Sequence, residues 1–203
     1  MNEFIEAEVK FHLTDPQKLR DGLVACGAEF LGRAFETNAI WDNERDEMAA
    51  RGGLLRLRRD GLCRLTAKLP PENADADFKV SREWEVTVSD FTAMEAILRA
   101  LGFSPKRRYE KERETWLIRE VHVTLDRMPF GWFAELEGER DEIRSLAARL
   151  GFSWERRIIL TYMRMFEIIR SGEGLSATEP TFDLMKGVSV PIEKYLPAFE
   201  SGA

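Results

Sequence analysis

The sequence has no run of eighteen or more apolar residues, the minimum length for a membrane-spanning helix. It also lacks a signal-peptide pattern, because Met1–Lys10 carries charged residues where such a peptide has an apolar core. A membrane is therefore not an expected partner, and the expected location is cytoplasmic.

Cysteine and histidine are scarce. The two cysteines, Cys26 and Cys63, are far apart and belong to no Cys-x-x-Cys pair, which excludes a disulfide framework and a thiolate zinc site. Both are predicted to be reduced and buried. The two histidines, His12 and His122, are too few for a histidine-rich metal centre and are predicted to be wall residues. Any metal site would therefore use oxygen ligands.

The sequence also lacks a phosphate-binding glycine loop and an excess of basic residues. Arg51-Gly52-Gly53 is not followed by the Gly-Lys-Ser/Thr ending of a P-loop. The 30 Lys and Arg residues face 36 Asp and Glu residues, giving a net charge of −6, so nucleic acid is not an expected partner. Charge of both signs is abundant, however, at 33% of the residues, and its arrangement is informative.

The hydrophobic pattern predicts one domain of eight strands with helices. Apolar and charged residues alternate with a period of two around 4–11, 37–41, 54–58, 62–69, 80–88, 107–117, 122–126 and 132–137. Helical spacing predicts helices over about 16–25, 90–101 and 140–150. The domain is expected to span 1–170. Residues 171–203, rich in Gly, Ser, Thr and Pro, are expected to form a tail that is flexible or docked.

Seven of the predicted strands carry charge on one face and apolar residues on the other. On a single strand, an open antiparallel sheet with one wet face is the ordinary explanation. Here the charges nearly cancel over the whole set, which predicts an α+β fold whose eight antiparallel strands close into a β-barrel with a charged lumen and helices outside. The charged face contains seven acids, Glu6, Glu8, Glu83, Glu85, Asp126, Glu135 and Glu137, and seven bases, Lys10, Arg56, Arg58, Arg64, Lys68, Lys111 and Arg113.

The residue types of this face indicate its ligands. Clustered carboxylates without thiolates or a histidine cluster favour a hard cation such as Mg²⁺ or Mn²⁺. Arginine binds phosphate in a bidentate way and lysine acts as a point charge, so several of each favour a chain of phosphoryl groups over a lone carboxylate.

The motifs on these strands resemble those of the CYTH family, the triphosphate tunnel metalloenzymes. The resemblance covers about residues 3 to 165 and begins with Glu6-Ala7-Glu8-Val9-Lys10, a Glu-x-Glu-x-Lys opening. The further motifs follow in the family's order: Leu55-Arg56-Leu57-Arg58, Leu65-Thr66-Ala67-Lys68, Arg82-Glu83-Trp84-Glu85, Lys111-Glu112-Arg113, Leu125-Asp126, Phe133-Ala134-Glu135-Leu136-Glu137 and Thr161-Tyr162. The resemblance implies an eight-stranded tunnel that binds a triphosphate.

Roles for individual residues come from this resemblance. The implied metal ligands are Glu6, Glu8, Asp126, Glu135 and Glu137, with Glu83 and Glu85 as further acidic lining. The implied triphosphate ligands are Lys10, Arg56, Arg58, Lys68, Lys111 and Arg113. Glu6, Glu8 and Lys10 are the candidate catalytic residues, with Glu6 or Glu8 deprotonating the attacking water. Arg82 has the opposite parity to Glu83 and is left without a role.

Three functions remain open at this level. The favoured one is metal-dependent hydrolysis of an inorganic or organic triphosphate, because no motif predicts an adenine pocket. The first alternative is a class IV adenylate cyclase, in which Lys106-Arg107-Arg108 and the 70–77 loop would border a base-binding mouth. The second is a non-catalytic triphosphate-binding module. The expected partner is in each case a small triphosphate, and a homodimer is permitted without being required.

Overall fold

The computed structural model describes residues 4–73 and 75–200, with side chains described from Ala7 onward. It contains eight strands in these ranges: β1 Phe4–Leu13, β2 Glu29–Asp42, β3 Leu54–Arg59, β4 Cys63–Leu69, β5 Lys79–Val88, β6 Ser104–Ile118, β7 Val121–Met128 and β8 Gly131–Glu137. The helices are α1 Pro16–Ala25, α2 Glu47–Ala50, α3 Phe91–Ala100, α4 Arg140–Arg149, α5 Tyr162–Glu173 and α6 Leu196–Glu200.

All eight strands pair antiparallel and close into a barrel in the order β1-β5-β4-β3-β2-β6-β7-β8. The ring closes through β1, which pairs with β5 on one side and with β8 on the other. The predicted fold class is therefore confirmed. A closed barrel leaves no strand edge exposed, so the alternating side chains of each strand point either into the lumen or toward the outside.

The apolar core lies outside the barrel, between the strands and the helices. Val9 and Leu136 on the outer face of β1 and β8 belong to the same buried cluster as Leu23 of α1 and Ile143 of α4. The helix α1 begins where the sequence predicts it, because the side chain of Asp15 accepts hydrogen bonds from the first backbone N–H groups. Because the apolar side chains of these strands face the helices, the alternating charged side chains point into the barrel.

A second outer cluster covers β2 and β3. Trp41 of β2 and Leu57 of β3 are fully buried beneath Leu98 of α3. This helix ends at Ala100, and Gly102 follows with a φ of 85°, a conformation that favours glycine.

The C-terminal part of the chain packs against the barrel. The helix α5 buries Met165, Phe166 and Ile169, and its cluster includes Leu196 and Phe199 of α6. The expected boundary at residue 170 falls inside α5, which ends at Glu173. Residues 175–200 contain short helices and turns, and several of their side chains are buried in the same cluster as those of α5.

Other sequence expectations need correction. The strands β2 and β6 are longer than their predicted counterparts, and α5 was not predicted. Cys26 and Cys63 are free thiols, as expected, but each is partly exposed where burial was expected.

Among the described residues, no helix is long and apolar enough to span a membrane.

Candidate triphosphate tunnel

The lumen of the barrel contains a cavity of about 980 Å³. Eleven of the site residues expected from the sequence line it: Glu8, Lys10, Arg56, Arg58, Lys68, Glu83, Glu85, Lys111, Arg113, Glu135 and Glu137. Asp126 does not line the cavity, but its side chain contacts Lys111, Arg113 and Tyr162, which do. The side chain of Glu6 lies outside the described part of the chain; its backbone pairs with Ser81 of β5.

Strand register explains why residues so distant in sequence share one wall. Lys10 lies opposite Glu135, and Lys68 lies opposite Glu83, each pair on neighbouring antiparallel strands. Directly opposite residues on adjacent strands point to the same face of the sheet. The period-two alternation in each strand therefore places its charged residues in the lumen.

Asp126 is the centre of the most buried ion-pair cluster. Its side chain is fully buried and accepts hydrogen bonds from Lys111 Nζ at 3.0 Å and from Arg113 Nε at 2.7 Å. The hydroxyl of Tyr162 donates to Asp126 Oδ2 at 2.9 Å. Arg113 also contacts Glu135. These contacts satisfy the charges that burial would otherwise leave without solvation.

Glu8 forms a second cluster with two lysines. Lys10 Nζ lies 2.6 Å and Lys79 Nζ lies 2.7 Å from Glu8 Oε1. Burial by itself would raise the pKa of Glu8, but the ammonium groups of Lys10 and Lys79 outweigh it and hold this pKa well below its ordinary value. The pKa of Glu135 is lowered in the same way, against burial, by Lys10, Arg113 and Lys111. Both carboxylates are therefore ionised at neutral pH.

Arg56 has a different environment. Its guanidinium donates to the hydroxyls of Tyr109 at 3.4 Å and Thr66 at 3.3 Å, and it lies 3.8 Å from Glu85. Its buried Nε atom has no hydrogen-bond partner. Arg56 therefore lines the cavity without a carboxylate at hydrogen-bond distance.

Tyr109 lies between the cations of this wall. Burial would raise the pKa of its hydroxyl, but Arg56, Lys111 and Arg58 bring the pKa below its ordinary value. The Tyr109 hydroxyl therefore accepts a hydrogen bond from Arg56 and lies close to the positive charges of Lys111 and Arg58.

Sequence reasoning missed several lumen residues. Glu36 and Asn38 of β2 are buried among the arginines, because Asn38 Oδ1 accepts from Arg58 Nε at 3.1 Å and Glu36 Oε1 lies 3.4 Å from Arg58. Lys79 and Tyr109 were also missed. Each has the inward parity of its strand. Glu36 and Lys79 lie one residue outside the predicted strands, whereas Asn38 and Tyr109 lie inside them but carry no charge, which was the signal used to assign the inner face.

The other basic and histidine candidates lie at the periphery. Arg107 lines the cavity and contacts Glu167 of α5, whereas Lys106 pairs with Asp46 at 3.0 Å. His12 is half-buried with its ring centre 5.7 Å from that of Phe133, and burial lowers its pKa. His122 is exposed.

The donor chemistry of the wall fits a hard divalent cation. Register places Glu8 and Glu137 directly opposite each other, two positions from the facing pair of Lys10 and Glu135. Oxygen donors of this kind suit Mg²⁺ or Mn²⁺. Within the described residues, no group of three His, Cys, Asp or Glu side chains forms a ready-made metal cluster, and Glu8 is paired with Lys10 and Lys79.

The fold and the site together define a tunnel protein, a closed antiparallel barrel whose lumen is lined by paired acids and bases. The CYTH domain model matches residues 5–150, and the chain belongs to the CYTH family. Members of this family are adenylate cyclases or triphosphatases, and its enzymes use divalent metal ions.

The chain is also similar to a named adenylate cyclase and to two solved structures. Adenylate cyclase CyaB of Aeromonas hydrophila is 28% identical over 163 residues, which cover 73% of this chain and 81% of that protein. The solved structure of a candidate adenylate cyclase from Vibrio parahaemolyticus is similar with a TM-score of 0.72 and 18% identity, covering 82% of this chain and 99% of that one. The Hippeastrum protein HpAC1, described as an adenylyl cyclase candidate with a dominant triphosphatase activity, is similar with a TM-score of 0.55 and 19% identity, covering 82% and 96%.

Proposed function

We propose that the protein hydrolyses triphosphates, either inorganic tripolyphosphate or an organic triphosphate, with the help of a divalent metal ion. The observation that supports this most directly is Arg56, a buried arginine that lines the cavity and whose nearest carboxylate, Glu85, is 3.8 Å away, beyond hydrogen-bond distance. Arg58 and Lys68 line the same cavity. Guanidinium and ammonium groups at one wall suit a chain of phosphoryl groups.

The cations would hold the substrate and neutralise its charge. In phosphoryl transfer, the negative charge spreads over the phosphate oxygens, and preorganised donors lower the barrier without reorganising. Arg56 is fixed by Thr66 and Tyr109, and Arg58 by Asn38, so their donors are oriented before substrate arrives. Substrate affinity is therefore expected to depend on these arginines.

The carboxylates of Glu8, Glu135 and Glu137 would hold the divalent ion, together with Glu6 as the motif of β1 predicts. When bound, such an ion supplies Lewis-acid neutralisation of phosphate oxygens. A general base works best with a pKa near the operating pH, and the pKa of Glu8 lies far below that. Glu8 therefore suits the role of ligand better than that of base.

A class IV adenylate cyclase is the second candidate. The cavity is large for a phosphate chain alone, since ligand pockets of ~300–1,000 Å³ hold drug-sized molecules. Apolar side chains of Ile40, Leu54 and Met163 line part of it, and Arg107 lies with them. An organic group could occupy this part, and the similarity to CyaB favours adenosine. A non-catalytic binding module is less well supported, because the acidic set of the motifs is complete.

Product analysis separates these candidates. Purified protein with Mg²⁺ or Mn²⁺ is incubated with tripolyphosphate, ATP and thiamine triphosphate in separate reactions, and phosphate, pyrophosphate and cyclic AMP are quantified. Orthophosphate in equal amount with pyrophosphate from tripolyphosphate, or with the corresponding diphosphate from ATP or thiamine triphosphate, supports the hydrolase. Cyclic AMP with pyrophosphate as the main products from ATP would show the cyclase instead, and no turnover of any triphosphate would favour the binding module.

A further inference from the structure

Glu36 is an acidic residue of the barrel interior that the motifs do not assign. It lies on β2, opposite Lys111 of β6, and is 2% exposed. Its Oε1 lies 3.4 Å from Arg58 and 3.7 Å from Arg113, and its Oε2 lies 3.5 Å from Lys111. One carboxylate therefore faces three cations that line the cavity.

These contacts are longer than hydrogen bonds. An N–H···O bond to a carboxylate has a typical length of about 2.7–2.9 Å, and Glu36 Oε2 has no hydrogen-bond partner. Lys111 and Arg113 make their short contacts to Asp126 instead. Glu36 is thus held in place by the charges around it without being bonded tightly to any of them.

The charge of Glu36 persists at all ordinary pH values. Burial would raise the pKa of its carboxyl, but Lys111, Arg113 and Arg58 outweigh burial and lower it to about 2. The cluster of Arg58, Lys111 and Arg113 therefore already contains a resident anion when a substrate approaches.

We propose that Glu36 competes with the phosphoryl groups of the substrate for Arg58, Lys111 and Arg113, and thereby sets the affinity of the tunnel for polyphosphate. This inference rests on the proposed function for the identity of the substrate. A phosphoryl oxygen near these cations is attracted by them and repelled by Glu36, and the burial of Glu36 reduces the screening of this repulsion by solvent. Glu36 acts through the cations, so it is a positioning residue that lowers affinity.

The test replaces the charge while keeping the shape. Binding of inorganic tripolyphosphate to wild type and to Glu36→Gln is measured by titration calorimetry with a chelator and without added metal. We expect the variant to bind tripolyphosphate about ten-fold more tightly. This estimate corresponds to removing the partly screened repulsion between one carboxylate charge and the phosphoryl groups. The affinity of the variant is also expected to fall more steeply with added salt, because its tunnel carries more positive charge.

Glu114→Gln is the matched control. Glu114 is also a buried carboxylate next to arginines, but it pairs with Arg20 and Arg33 on the outer side of the barrel. Its substitution should leave tripolyphosphate affinity unchanged. A general loss of packing would affect both variants and would weaken binding instead of strengthening it.

The affinity of Glu36→Gln for tripolyphosphate determines whether Glu36 competes with the substrate. Equal or weaker binding by a folded Glu36→Gln protein overturns it, even if the wild-type enzyme is an active hydrolase. If the variant unfolds in buffer, tripolyphosphate must restore its folding by replacing the missing anion, and failure to do so also overturns the inference. Since binding is measured without turnover, an absence of hydrolysis counts against the proposed function alone.

Discussion

Tyr162 donates its hydroxyl hydrogen to Asp126 across 2.9 Å, joining the first turn of α5 to a fully buried carboxylate of β7. The ring of Tyr162 also lies 5.3 Å from Lys10 Nζ and 5.4 Å from Lys111 Nζ. Burial and the neighbouring Asp126 and Glu135 raise the pKa of this hydroxyl well above its ordinary value, so it stays a donor. A C-terminal helix thus contacts the charges of the tunnel directly.

Tyr162→Phe tests this link. Removing a hydrogen bond to a charged group typically costs about 1.5–3 kcal/mol, and we expect the free energy of unfolding to fall by that amount. Tyr195→Phe is the control, because the partner of its hydroxyl, Glu173, is partly exposed and can turn to water. Urea unfolding curves provide the measurement. An equal decrease in the free energy of unfolding of the two variants would mean that the hydrogen bond to Asp126 stabilises the protein no more than the one to Glu173.

Arg56→Ala is expected to raise the KM for tripolyphosphate by about 10- to 100-fold with a smaller effect on kcat, since charge-assisted hydrogen bonds contribute about 1.5–3 kcal/mol. Arg59→Ala is the matched control. Arg59 lies at the end of the same strand but on the outer face, where its guanidinium is 4.3 Å from the ring centre of Phe91. Steady-state kinetics of both variants are compared; an unchanged KM for Arg56→Ala would remove Arg56 from the substrate contacts.

Glu6→Gln and Glu8→Gln are expected to remove most of the metal-dependent activity without unfolding the protein, because the two carboxylates belong to the predicted ligand set. Activity is titrated with Mg²⁺ and Mn²⁺, and circular dichroism checks the fold. Glu112→Gln serves as control, since Glu112 pairs with Arg127 at 3.0 Å on the outer face of the barrel. Wild-type metal dependence in either β1 variant would exclude that residue as a ligand.

The low pKa of Glu36 makes a prediction about acid stability. The pKa falls from an ordinary 4.5 to about 2 on folding, so between these values the unfolded state binds more protons. The associated stability is complete above pH 4.5 and is lost as pH falls through about 2. Its size is about 3 kcal/mol, since one pKa unit corresponds to about 1.4 kcal/mol.

Glu36→Gln should therefore show a shallower fall of the unfolding free energy between pH 4.5 and pH 2 than wild type. The unfolding free energy of the variant should still decrease to some extent over this pH range, because the pKa values of Glu8 and Glu135 are also lowered. Urea unfolding at a series of pH values measures the difference. Identical slopes would show that Glu36 does not carry this pKa shift.

Alternation along single strands was sufficient to predict the barrel and most of its lining. Arg56 and Arg58 on β3 and Glu135 and Glu137 on β8 are each two residues apart, and both pairs point inward as expected. The alternation is clear on β3 and β8 because the residues between the charged ones are apolar and face the helices. On β2 the alternation breaks down. Arg33 and Phe35 face outward and are exposed, while Ala34, an apolar residue, has the inward parity of Glu36.

The C-terminal region was harder to interpret from sequence. The buried residues of α5, Tyr162, Met165, Phe166 and Ile169, have the spacing of a helix face, and this signal was available. Residues 175–200 have no such period. Their burial depends on contacts with the barrel and α5, which local sequence does not encode.

Closure of the ring through β1 and β8 has a consequence for biosynthesis. Lys10 is translated more than a hundred residues before Glu135, its partner across the ladder. Until β8 has emerged from the ribosome, the first strand has no neighbour on that side and its charges have no partner there. Pairing over such a sequence distance is slow to form. A nascent chain that ends before β8 would thus expose both an open sheet edge and uncompensated charge, and the binding site arises only in the step that completes the barrel.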